Sequence, residues 1–124
     1  MSDTPDLTII IDTHLAAYCE PDSNRRAELV ATAWSPDGSL IDPPLDGTGH
    51  GAIAALTDTV LQHYPGHFFR RTTAVDAHHG FARYGWAMVA ADGSTTLTGT
   101  DVASVGDDGR LTRIVGFFGE LAAA

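Results

Sequence analysis

The segment FARYGWAMVAADGSTTLTGTDVASV, residues 81–105, holds two extended runs around one turn. Phe81 to Ala91 and Thr95 to Val105 are joined by Asp92-Gly93, a strong hairpin signal because both residues tolerate the backbone conformations of tight turns. Downstream, Gly106-Asp107-Asp108-Gly109 reads as a second reverse turn leading into Arg110 to Phe118. Upstream, Phe68 to Val75 is rich in Thr, Phe and Arg and lacks helix formers. The C-terminal half therefore predicts four strands in an antiparallel meander.

The N-terminal half has a different period. Leu7, Ile11, Leu15 and Tyr18 recur at helical spacing and predict a helix from Leu7 to Cys19. Glu20-Pro21-Asp22-Ser23-Asn24 breaks it and supplies caps for a second helix running to about Trp34, with Ala27, Val30, Ala31 and Trp34 on one side. Ser35-Pro36-Asp37-Gly38 reads as a turn, Ser39 to Asp42 as a short strand stopped by Pro43-Pro44, and Leu45 to His50 as a glycine-rich loop. A third helix spans Ala52 to Tyr64, with Ile53, Leu56, Val60 and Tyr64 in phase. Helices grouped ahead of strands give an α+β class, and 124 residues suit one domain over 1–124.

Composition narrows the function classes. There are 16 acids against 7 arginines and no lysine, for a net charge of −9, which argues against nucleic acid and anionic membranes as partners. No run approaches the roughly 20 apolar residues that span a bilayer, and the N-terminus lacks a signal-peptide layout, so the expectation is a cytoplasmic protein. The lone Cys19 has no partner for an internal disulfide. None of the six histidines stands with carboxylates at metal-ligand spacing, no serine sits in a nucleophile elbow, and the 46–51 glycine loop lacks the phosphate-loop lysine. No metal or organic cofactor is expected.

Three polar residues stand where chemistry is possible. Alternation along Thr95 to Val105 puts Asp101 with Leu97, Gly99, Ala103 and Val105 on the more apolar face. A carboxylate there is desolvated, which raises its pKa; the competing reading is an ion pair with Arg83 or Arg113. Asp42 closes the first strand among apolar neighbours, either as a general base or as an ordinary turn aspartate before proline. Tyr18 lies on the apolar stripe of the first helix, where its hydroxyl needs a partner, by default backbone. His14 borders the same stripe and can line a pocket.

Element order and local motifs together resemble the NTF2-like superfamily, in particular its SnoaL-like and ketosteroid-isomerase-like members. The resemblance rests on Ala17-Tyr18, on Ala33-Trp34 followed by Ser35 to Pro43, on Gly51-Ala52-Ile53, on Gly99-Thr100-Asp101-Val102, on Asp108 to Leu111, and on Val115-Gly116-Phe117-Phe118. It implies a cone: N-terminal helices packed on a strongly curved antiparallel sheet that encloses a pocket. It implies Asp42 as a base, with Tyr18 and a protonated Asp101 holding an enolate oxygen; ketosteroid isomerase is a standard worked case of that arrangement. His14, Trp34, Leu56, Arg83, Trp86, Phe117 and Phe118 are the expected substrate contacts. Where the isomerases carry further tyrosines, this chain has Trp34 and Thr57.

The expected ligand is a small apolar carbonyl-bearing molecule, polycyclic or polyketide-like, turned over by cofactor-free proton transfer. A cyclase, dehydratase or epoxide hydrolase of the same fold is the alternative within enzymes. An inward Arg83 paired with Asp101 would point to epoxide hydrolysis. A non-catalytic ligand-binding or dimerisation module is the other alternative, since fold does not fix function. The resemblance also implies a homodimer through the outer sheet face, which light scattering checks.

Overall fold

A computed structural model describes residues 6–124. The helices are α1 (Thr8–Ala17), α2 (Ser23–Ala33) and α3 (His50–His63). The strands are β1 (Trp34–Ile41), β2 (Asp46–Thr48), β3 (Phe68–Arg71), β4 (Asp76–His78), β5 (Phe81–Val89), β6 (Thr95–Val105) and β7 (Leu111–Phe118). They form one sheet in the order β2-β1-β7-β6-β5-β3, with β4 beside β3 along the same edge of β5. The class is α+β, as the sequence implies.

The sheet is mixed, not purely antiparallel. β5, β6 and β7 do form the expected meander, but β1 joins β7 in parallel. A parallel pair needs a long connection, and everything from β2 to β6 intervenes between these two strands.

The segment 35–38 is not a reverse turn. Asp22 caps α2 by accepting the Asn24 N–H at 2.9 Å. The chain then turns directly extended at Trp34 (φ −110°, ψ 143°) and runs on as β1. Pro36 cannot donate to a ladder, and the β1–β7 register shifts between Trp34 and Ser39, so the Pro-Asp-Gly segment is taken up as an irregularity within a strand. Gly38 lies under the Trp34 ring: a Cβ there would stand 2.4 Å from a ring carbon. Likewise the supposed loop after Asp42 contains β2, which pairs with Ser39–Ile41 through a turn closed by Asp42 N–H to Leu45 O (3.0 Å) and Leu45 N–H to Asp42 O (3.2 Å).

The core lies between the helices and the inner sheet face, where Ile11, Leu15, Val30, Trp34 and Ile53 meet Met88, Leu111 and Ile114. Each large apolar side chain so buried contributes ~1.5–3 kcal/mol before entropy is counted. On β5, Ala82, Tyr84, Trp86 and Met88 point inward while Phe81 and Arg83 point out. On β6, Gly99, Asp101 and Ala103 are buried and Thr98, Thr100 and Val102 exposed, so the apolar face assigned by alternation is the inner one. No helix among the described residues is long and apolar enough to cross a membrane.

Candidate active site

A cavity of about 320 Å³ opens between α1, α3 and the inner sheet face. Its wall is mostly apolar, with Leu15, Leu40, Leu45, Met88, Leu97 and Ile114 contributing, and it also contains Tyr18, Asp42 and Asp101. Three separate elements thus bring the expected trio to one space: the C-cap of α1, the turn after β1, and the middle of β6.

Asp42 and Asp101 flank one glycine. β7 runs between β1 and β6, with Ile41 opposite Val115 and Asp101 opposite Gly116. A Cβ on Gly116 would stand 2.9 Å from Asp101 Oδ1 and 3.0 Å from Asp42 Cβ. Only a residue without a side chain leaves the floor between them open.

Asp101 is 7% exposed and both its oxygens accept hydrogen bonds. The Tyr84 hydroxyl donates to Oδ2 at 2.7 Å and the Trp86 indole N–H to Oδ1 at 3.0 Å. Burial raises its pKa to about 6; the Tyr84 and Trp86 bonds oppose that rise, and the nearby Asp42 charge adds to it. Burial thus favours the neutral acid that the resemblance implies, against the pull of these two hydrogen bonds. The ion pair with Arg83 or Arg113 does not form. Arg113 is exposed, and Arg83 lies on the outer face of β5, bonded to Asp76 at 2.7 Å. With Arg83 outside, the Asp-Arg-Asp arrangement is not built.

Asp42 is half-buried, and its Oδ1 accepts the Leu45 N–H at 3.0 Å. Burial raises its pKa, partly offset by that bond. Its Oδ2 accepts no hydrogen bond from the described residues. Tyr18 is buried, yet its hydroxyl bonds to no described residue. No fully enclosed side-chain N or O lacks a partner among the described residues, so the unpaired hydroxyl opens onto the cavity it lines. Burial first, then the charges of Asp101 and Asp42, push its pKa above 10 and keep it a donor.

Of the expected substrate contacts, His14, Trp86 and Phe118 line the cavity. Trp34, Leu56, Arg83 and Phe117 do not. Trp34 is fully buried beneath the cavity and donates its indole N–H to His14 Nδ1 at 3.3 Å. Leu56 is half-buried over Gly47, where a Cβ would come within 2.8 Å of its Cδ1. Phe117 alternates with Phe118 and is left 57% exposed on the opposite face. Tyr84 and Gly116 were missed by the sequence reading. Tyr84 carries a signal, since equal steps back from Asp92-Gly93 put it opposite Asp101; Gly116 acquires its meaning only from the two strands beside it. No cluster of three His, Cys, Asp or Glu among the described residues is placed to hold a metal.

This element order and sheet define an NTF2-like protein. The fold matches an NTF2-like protein of unknown function from Exiguobacterium sp. 255-15 (17% identity over 90% of this chain and 99% of that one, TM-score 0.71). It also matches a candidate polyketide cyclase from Sinorhizobium meliloti (18% identity, 92% and 95%, TM-score 0.68). A much nearer match is a candidate isomerase of the SnoaL-like family from Agrobacterium tumefaciens strain C58, at 36% identity over 93% of this chain and 98% of that one, with a TM-score of 0.88. The chain belongs to the SnoaL-like family. No protein-family model and no curated protein matches it.

Proposed function

We propose that the protein is a cofactor-free enzyme that moves a proton next to a carbonyl on an apolar, polycyclic or polyketide-like substrate. The observation that carries this reading is the pair of aspartates, both with raised pKa, that flank Gly116 and line one largely apolar cavity. The register shifts in the β1–β7, β5–β6 and β6–β7 pairings support a sheet bent around that cavity.

Asp42 is the base, because no described residue donates to its Oδ2 while protein donors engage both oxygens of Asp101. It takes the α-proton; the C–H electrons form the enolate, and the proton returns at the conjugated carbon. The Tyr18 hydroxyl donates to the enolate oxygen. Asp101 acts in its neutral form. An apolar substrate expels water and strengthens the burial effect that already dominates its pKa. An indole N–H only donates whereas a hydroxyl also accepts, so the acid proton is carried more easily on Oδ2, beside Tyr84, than on Oδ1, beside Trp86. Donors fixed beforehand in a dry site are worth more than the same donors in water.

The test is ultraviolet detection of the conjugated product from a β,γ-unsaturated ketosteroid, alongside deuterium exchange at the α-carbon of β-tetralone. Wild type turns over at least one of them, and Asp42→Asn, nearly the same shape without the basic oxygen, loses about 10²–10⁴-fold. A wild type that neither isomerises the steroid nor exchanges the tetralone proton would refute the reading.

A further inference from the structure

His14 stands one helical turn before Tyr18 on the same face of α1, and their rings meet edge-on with centroids 5.4 Å apart. The imidazole is 4% exposed. Its Nδ1 faces the Trp34 indole N–H at 3.3 Å. Indole nitrogen is a donor only, so Nδ1 must be the acceptor and carry no proton. A neutral imidazole has one N–H, which is then on Nε2. Burial holds the ring neutral by lowering its pKa to about 4. Nε2 bonds to no described residue, and no fully enclosed side-chain nitrogen is left unpaired. His14 lines the cavity, so this N–H opens into it.

We propose that His14 is a further carbonyl-binding donor beside Tyr18, a neutral imidazole locked in its Nε2–H tautomer by Trp34, which acts as a positioning residue. The proposal rests on the carbonyl chemistry given above and adds who holds the oxygen. Tyr18 and His14 both come from helix α1, while Asp42 and Asp101 come from the sheet side. Two donors thus reach the oxygen from α1, beside the neutral Asp101, and Asp42 acts from the sheet side. A neutral N–H is suited to this task because it polarises the carbonyl and gives up no proton to the enolate. Trp34 takes no part in contact with substrate; it sets which nitrogen carries the hydrogen.

Two measurements test this. The first is heteronuclear NMR of the His14 imidazole nitrogens at neutral pH. The expected result is the Nε2–H tautomer in wild type and a mixture of tautomers in Trp34→Phe, which keeps a ring and removes the indole N–H. An imidazolium, or the Nδ1–H tautomer, in wild type overturns the proposal whether or not the Trp34 variant folds. The second is infrared difference spectroscopy of carbonyl-labelled acetylnaphthalene bound to the protein. The C=O stretch is expected to drop in wild type, with part of that drop lost in His14→Phe and another part in Tyr18→Phe. A stretch unmoved by His14→Phe overturns this proposal alone. A wild type that does not take up the ketone overturns the carbonyl reading and this proposal with it.

Discussion

Replacing Asp101 by Asn should change stability in a way that depends on pH, with a size set by the site. The Asp101 pKa rises from its ordinary 3.8 to about 6 on folding, chiefly through burial. Between those values the folded chain holds a proton that the unfolded chain has released. Unfolding stability therefore falls as pH rises through this window. A gap of roughly two pH units is worth ~3 kcal/mol. Well below pH 4 both states are protonated and the penalty is absent; above about pH 7 it is fully present. Asn keeps the shape and carries no charge at any pH. Urea denaturation of both proteins from about pH 4 to pH 8 gives the difference, in which the other titrating groups cancel. The expected outcome is a variant that gains ~3 kcal/mol on wild type between the two ends of the range. A pH-independent difference would refute the claim that Asp101 is buried at a cost. A gain for wild type as pH rises would mean that Tyr84 and Trp86 outweigh burial and hold Asp101 below its ordinary value.

Gly99 sits opposite Trp86, and a Cβ there would lie 2.3 Å from the indole and 2.6 Å from the Phe117 carbonyl. Gly99→Ala should cost ~1–3 kcal/mol by overpacking and push the Asp101 pKa further up by displacing the Trp86 N–H; denaturation and an NMR titration of Asp101 check both parts. Arg83→Ala should leave turnover unchanged and stability within ~0.5 kcal/mol of wild type, because Arg83 and Asp76 form an exposed pair on the outer face. A large loss of turnover in that variant would place Arg83 in the chemistry after all.

The sequence by itself determined the class, the three helices and the β5–β6–β7 meander. Helical spacing in α1 and α3 and alternation in β6 are local properties, and residues a few positions apart carry them. They also suffice to put Asp101 on the inner face. Equal steps back from Asp92-Gly93 set Tyr84 against Asp101, but the observed turn closes between Ala90 and Ser94, and only a shift at Met88–Val89 brings that register about. The tertiary structure decided what local pattern leaves open. Alternation within β5 alone does not say whether Arg83 or Tyr84 faces inward; pairing with β6 in the observed register sends Arg83 to solvent and Tyr84 to the carboxylate. Pro36 and Gly38 read as a turn because their local preferences are those of a turn; pairing with β7, 70 or more residues later in the chain, overrides them. The meeting of Asp42 with Asp101 across Gly116 depends on a parallel pairing between the first long strand and the last. No short window of sequence contains both partners, so only the folded chain reveals it.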